Sequence, residues 1–335
     1  MILPTWNGNE DICIVLGVNG QDGSYAAECL LAKGYKVVGI GRQGQSTWID
    51  KQPNYHYGTI DLLKFDDLYS VLVAIEPILI FNAAAVHGSN NFLYENVWTD
   101  AHAVNTYLTH GILEYIRNSS ANCSYLYLSS SKAFGSEYPR VVDEQTPVVG
   151  TCIYSITKNA STDLISYYRT KHHVHATVVW TFNHESPRRT GSYFVSKVVD
   201  ILAKSIEDSD YVGDIYTLDF WCDWGDAEEF MKICVDLAFG DDGGGFVLAT
   251  GETLWARDFV EKLFITYGLK YSDHINEIGP QKIKSEPWVA DVSLLRKKLG
   301  AGPSNDIFQV CKKILEENYP SVITEFDENT TNKLC

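Results

Sequence analysis

A short apolar run, DICIVLG at residues 11–17, leads directly into Gly17-Val18-Asn19-Gly20-Gln21-Asp22-Gly23 and then into an amphipathic stretch that reaches Lys33. An all-apolar run of this length suits a strand buried on both faces of a parallel sheet. The three glycines let the backbone turn sharply and approach a ligand closely. The helix behind them points its free N–H groups and positive dipole end at that ligand, so an anion such as a pyrophosphate is expected there. Ala26, Ala27, Leu30 and Leu31 form the apolar side of the helix, and Gly34 stops it.

The alternation continues down the chain. KVVGIG at 36–41, a third strand before Asp61, ILIFNAAA at 78–85, SYLYLSSS at 124–131 and HATVVWTF at 175–182 read as strands. Helices are expected near 96–117 and 154–170. This order predicts an α/β fold, a Rossmann-type doubly wound parallel sheet with right-handed crossovers. Beyond residue 185 the alternation weakens. Helices near 194–207, 226–239, 254–266 and 304–317 mix with short strands near 214–219 and 246–250. We expect a dinucleotide-binding domain over 1–185, a smaller mixed α/β substrate lobe over 186–320 interleaved with it, and a polar tail over 321–335.

Charge and cysteine usage restrict the partners. The formal net charge is −16, which argues against nucleic acid and anionic membrane surfaces as main partners. No apolar run approaches the ~20 residues of a spanning helix. The opening lacks a basic stretch and a long apolar core, and none of the eight cysteines forms a C-x-x-C pair, so reduced thiols in the cytoplasm are expected. His172, His173 and His175 have no carboxylate or cysteine at ligand spacing, and no metal is expected.

Two further features point to chemistry. The second strand ends in Gly41-Arg42, where an NAD site usually carries an acid. A guanidinium pairs well with a 2′-phosphate, so NADP is favoured, with NAD the alternative. Asp61-Leu62 is placed to meet the adenine edge. Ser130 ends a strand, and Tyr154-Ser155-Ile156-Thr157-Lys158 opens the next helix with tyrosine and lysine on one face. An ammonium beside a phenol is expected to lower its pKa, so that Tyr154 takes a proton while Ser130 holds the substrate oxygen.

With these motifs the chain resembles the extended short-chain dehydrogenases/reductases. GVNGQDGSYAAECLLAKGYKVVGIGR at 17–42, FNHESPRR at 182–189, DWGDA at 223–227 and FVLATGET at 246–253 are similar to the GDP-mannose 4,6-dehydratases over roughly residues 11 to 300. The resemblance implies an NADP-dependent enzyme acting on a nucleotide-diphosphate sugar, with GDP the expected nucleotide. The cofactor would meet Gly17, Gly20, Gln21, Asp22, Gly23, Arg42, Asp61, Leu62, Ala84, Tyr154, Lys158 and Arg188. The substrate would meet His87, Ser130, Asn183 and Lys197. Arg188 and Arg189 would lie where chains of a homodimer or homotetramer meet.

The likeness also implies oxidation at C4 and loss of water across C5 and C6. The family's C5 base is a glutamate two positions after the catalytic hydroxyl, and here Lys132 stands in its place. Lys132 is the expected base if burial or Lys158 lowers its pKa. Cys222 replaces an arginine before DWG, and KIKSEPWVAD lacks another. A C4 epimerase, ketoreductase or dehydrogenase on a nucleotide-sugar, or a cofactor-binding protein without catalysis, are the alternatives.

Overall fold

The computed structural model describes Pro4, Trp6 and residues 11–87, 94–119, 122–189, 191, 193–240, 243–281 and 283–323. The expected tail from residue 324 onward lies outside them. The chain runs β1 (Ile12–Leu16), α1 (Gln21–Ala32), β2 (Lys36–Gly41), β3 (Tyr55–Thr59), α2 (Phe65–Ile75) and β4 (Leu79–Asn82). Then follow α3 (Trp98–Ala101), α4 (Leu108–Ser119), β5 (Ser124–Ser130), β6 (Val141–Val142), α5 (Ile153–His172), β7 (Ala176–Thr181) and β8 (Asn183–Glu185). The remainder is α6 (Phe194–Glu207), β9 (Gly213–Ile215), β10 (Trp221–Asp226), α7 (Ala227–Ala238), β11 (Gly244–Leu248), β12 (Thr253–Trp255), α8 (Ala256–Thr266), α9 (Tyr271–His274), β13 (Ile275–Glu277), β14 (Val289–Ala290), α10 (Ser293–Leu299) and α11 (Ile307–Asn318).

Seven strands form one parallel sheet in the order β11-β7-β5-β4-β1-β2-β3. The order reverses beside β1, so the glycine turn opens into the crevice at the strand ends. Helix α1 packs with α7, while α2 and α5 flank α4. Ile14, Leu16, Ile40, Phe81, Leu126 and Val179 are fully buried, as central strands of a doubly covered sheet must be.

The short strand expected near 246–250 is β11, paired parallel with β7 as the edge of the main sheet. The chain thus returns to the first core after leaving it: Phe230, Met231, Val235 and Leu248 belong to the same buried core as β1, β5 and β7. The second lobe has its own core, in which Trp224 stacks on Phe194 at 5.7 Å and packs against Phe259 at 5.2 Å. Caps fix two helix starts. Asp226 accepts from Glu228 N at 2.8 Å, and Asp306 from Gln309 N at 2.9 Å. The last cap explains why α11 begins three residues later than its hydrophobic pattern suggests.

The helix expected over 96–117 is not a uniform α-helix. Between α3 and α4, His102–Tyr107 is π-helical. No described helix is long and apolar enough to cross a membrane.

Candidate active site

The glycine turn is built by sterics. Gly17 has φ +79°, and a Cβ there would lie 2.9 Å from Ala84 N. A Cβ on Gly23 would lie 2.3 Å from Gly17 O, inside any permissible contact. These two positions hold α1 against the turn. Gly20 caps α1 with no side-chain bond, which leaves the first-turn N–H groups facing outward.

A cleft of about 290 Å³ opens above the turn, lined by Gly17, Gly20, Arg42, Asp61, Leu62 and Ala84, six of the residues expected at a cofactor. Arg42 is exposed at its rim. Asp61 Oδ1 also accepts from Leu63 N at 3.1 Å, which fixes its own turn. Asn19, missed in the sequence, ties the turn to the loop after Arg42: its Nδ2 donates to Gln45 O at 2.9 Å and to Tyr57 Oη at 3.2 Å, and its Oδ1 accepts from Thr47 N at 3.0 Å.

Three residues expected at the cofactor turn their side chains elsewhere. Asp22 Oδ1 lies 2.9 Å from His184 Nε2. Gln21 Oε1 accepts from Ser186 Oγ at 2.8 Å, and its Nε2 donates to His184 O at 3.3 Å. Arg188 donates to Ser24 Oγ at 2.8 Å and Glu28 Oε1 at 2.6 Å and stacks 3.9 Å from the Tyr25 ring. All three join α1 to β8 and the segment that follows it, because the polar edge of α1 faces them and not the cleft. What Gln21 and Asp22 offer a ligand is backbone N–H.

Next to the cleft, Ser130 ends β5 and Tyr154 and Lys158 open α5. Tyr154 is 9% exposed, with its phenol near the Ser130 side chain. Lys158 Nζ donates to Leu128 O at 2.7 Å, lies 4.5 Å above the Tyr127 ring and 5.7 Å from the Tyr154 ring. The expected acidification of Tyr154 is not found. Burial raises its pKa well above the ordinary phenol range and outweighs the Ser130 hydroxyl, which favours the phenolate. Burial likewise pulls Lys158 down to about 7, against the opposing charge of Asp22. Both groups are desolvated together, which the sequence spacing does not reveal.

Around the dyad the His87 ring packs at 4.7 Å from Tyr154 and 5.7 Å from Tyr94, and Tyr94 stacks on Tyr154 at 6.4 Å. Asn183 is exposed at the start of β8, and Lys197 is half-buried in the first turn of α6. Arg189 donates to His184 O at 2.7 Å, pairs with Glu185 at 3.5 Å and stacks on Tyr193 at 3.8 Å. Lys132 is exposed on the turn after β5, without the burial that is one of the two ways it could serve as a base.

Asn105, in the π-helical stretch, was also missed. Its Oδ1 accepts from Val86 N at 2.8 Å, and its Nδ2 donates to Val86 O at 3.0 Å and Thr157 Oγ1 at 3.1 Å. It pins the His87 loop to α5. Of the histidine cluster, His175 is used structurally, its Nδ1 against Ser124 Oγ and its Nε2 donating to Gly240 O at 2.7 Å.

A doubly wound sheet with a glycine turn, a neighbouring Ser-Tyr-Lys group and a second lobe over them defines the extended short-chain dehydrogenase/reductase class. Residues 14–306 match the family model described as GDP-mannose 4,6 dehydratase, and the chain belongs to that family. A GDP-mannose 4,6-dehydratase of Yersinia enterocolitica is 31% identical over 350 residues, which covers 90% of this chain and 92% of that protein. Another, from Sordaria araneosa, is 29% identical over 81% of this chain, which spans about half (52%) of that protein's length. The fold is shared with the Thermus thermophilus UDP-glucose 4-epimerase in complex with NAD, at a TM-score of 0.75 and 18% identity over 91% of this chain and 98% of that one.

Proposed function

We propose that this protein is a nucleotide-sugar enzyme that oxidises C4 of a nucleotide-linked hexose, with GDP the favoured nucleotide. The observation that carries the reading is Ser130 at the end of β5 beside the phenol of Tyr154 and a glycine-turn cleft, with Lys158 buried behind the phenol. The cradle fits a dinucleotide: a Cβ at Gly17 or Gly23 would fill the turn, and Arg42 at the rim suits the 2′-phosphate of NADP. Gly17, Gly20, the α1 N-terminus, Arg42 and Ala84 would hold it. When bound, its nicotinamide accepts and returns a hydride.

The side chains handle the proton. Ser130 holds O4 of the sugar, and Tyr154, as the phenolate, takes the O4 proton as C4–H leaves as hydride; Lys158 stabilises that phenolate against the burial that otherwise keeps the phenol protonated. The 4-keto group then acidifies C5–H. Family membership supports loss of water across C5 and C6 as the next step, with the hydride returned at C6. Exposed Lys132 in the place of the expected base favours a second reading without loss of water, in which hydride returns at C4, as in an epimerase, or passes one way between C4 and the cofactor, as in a ketoreductase or dehydrogenase. Assembly through the outer faces of the 98–119 region and α5 is supported by exposed Trp98, Tyr107 and Tyr167.

The test is incubation with NADP and a panel of GDP-, UDP-, CDP- and dTDP-sugars, followed by product mass. A product lighter by one water supports dehydration. An isomer of unchanged mass, or a product lighter or heavier by two hydrogens, supports the second reading. No conversion of any nucleotide-sugar overturns both.

A further inference from the structure

The turn that follows Ser130 is rigid, but the side chain it presents is free. Lys132 N donates to Ser130 Oγ at 3.2 Å, and Lys132 O accepts from Gly135 N at 3.2 Å. Ala133 O accepts from Val149 N at 2.7 Å and Asn159 Nδ2 at 3.2 Å. Among the described residues no carboxylate forms an ion pair with the exposed Lys132 ammonium. The cations of Lys132 and Arg189 both act on the buried Cys222 thiol of β10, which burial, Asp223 and Glu185 push up. Lys132 thus lies near Cys222 of β10, and its backbone N–H is bonded to the Ser130 hydroxyl that would hold the sugar.

Because Ser130 Oγ accepts from Lys132 N, a sugar held at O4 by Ser130 would have its C4 beside this turn. C5 adjoins C4, and the C6 substituent extends from it. The diphosphate leaves from C1, across the ring. A hexose that loses water needs a base at C5 and a hydroxyl on C6. This turn supplies a cation in place of that base, in a protein whose net charge of −16 repels anions at a distance.

We propose that the sugar taken by this site carries a carboxylate at C6, a nucleotide-linked hexuronate, and that Lys132 is its receptor. This rests on the C4-oxidation reading above. One substrate accounts for both departures. A hexuronate has no C6 hydroxyl to expel, so the carboxylate base is dispensable, and its own charge calls for a lysine at that point. The pair is a charge-assisted hydrogen bond held by a fixed backbone.

The test titrates NADP-loaded protein, by calorimetry, with UDP-glucuronate and UDP-glucose, GDP-mannuronate and GDP-mannose, and free UDP and GDP. Reduced nicotinamide absorbance and product mass are followed in parallel. A hexuronate should bind about tenfold or more tighter than its neutral counterpart, the scale of one charge-assisted bond. Lys132→Met should erase that difference and leave free nucleoside diphosphate binding unchanged. Lys132→Glu should reverse the preference. Equal or tighter binding of the neutral sugars by the parent overturns the proposal. So does a Met variant that weakens free nucleoside diphosphates as much as hexuronates, since the lysine then reads the diphosphate. If a neutral hexose is oxidised and loses water, the hexuronate proposal falls and C4 oxidation stands. If no nucleotide-sugar binds, both fall.

Discussion

His184 Nε2 and Asp22 Oδ1 meet at 2.9 Å, although 162 residues separate them in the chain. The other imidazole nitrogen, Nδ1, donates to Phe182 O at 2.7 Å. Both ring nitrogens thus face acceptors, which only the imidazolium satisfies. Burial opposes that charge, but Asp22 prevails and raises the His184 pKa, while His184 overcomes burial to hold Asp22 below the ordinary carboxylate range. The pair locks the cofactor turn to the start of the second lobe.

Its pH dependence has a definite sign. The folded pKa of His184 is raised, so its contribution is complete below the ordinary imidazole range and is lost as pH rises through the folded value. The folded pKa of Asp22 is lowered, so its contribution is complete above the ordinary carboxylate range and is lost as pH falls through the folded value. Stability from the pair is therefore greatest between the two. Asp22→Asn should cost about 1–3 kcal/mol in that window, the penalty of a buried group left without its charged partner, and little outside it. Urea melts of parent and variant across pH measure this; a pH-independent difference would exclude the ion pair as its source.

Tyr154→Phe should lower kcat by at least about a hundredfold, the usual weight of a general base, with NADP affinity unchanged. Single-turnover hydride transfer is the measurement. Turnover near the parent's removes Tyr154 from the proton step.

Lys158→Met should separate function from stability. Burial lowers the folded pKa of Lys158 to about 7, below the unfolded value, so the cost of burying the ammonium is full below about 7 and shrinks as pH rises toward the unfolded value. The Met variant of the cofactor-free protein should melt higher than the parent on the acid side, and the gap should close in alkali. Its turnover should be lost. A melting difference of the opposite sign would show that the bond to Leu128 O outweighs the desolvation.

Arg42→Ala should erase most of a preference for NADP over NAD, about tenfold or more. Binding of both cofactors to both proteins decides it. Equal affinities in the parent would refute the second-strand reading.

Gly23→Ala reverses an ordinary expectation. Alanine normally stabilises a helix interior by ~1 kcal/mol over glycine. Here its methyl would meet Gly17 O at 2.3 Å, so α1 must shift off the turn. We expect a net loss of about 1–3 kcal/mol and of cofactor binding. A variant as stable as the parent would mean that the turn yields.

The sequence was most readable where geometry leaves few options. A turn bounded by Gly17 and Gly23 has one use for its glycines, and β2 and α6 lie at the residues their apolar patterns mark. Less was readable where an element could join either core. The pattern of β11 is that of any short apolar strand, and only its pairing with β7 assigns it to the main sheet. The site divides the same way. Ser130, Tyr154 and Lys158 have a spacing to read, whereas Asn19 and Asn105 act through loops and a helix phase that no spacing encodes. Arg188 has the chemistry of a phosphate ligand, but Glu28 and Tyr25 hold it elsewhere.

The π-helical stretch at His102–Tyr107 has a consequence for how this helix tolerates change in length. A π stretch holds about one residue more than an α-helix of the same rise, and each residue advances an α-helix by about 100°. Within this stretch the Asn105 carbonyl accepts from Tyr127 Oη at 3.2 Å and from Ser161 Oγ. Deleting one residue between 102 and 107 would restore regular winding and turn Asn105 away from Val86 and Thr157. The core face of α4 would keep its register, but the loop bearing His87 would lose its anchor. A deletion that looks silent on a helical wheel would thus unseat the wall of the active site.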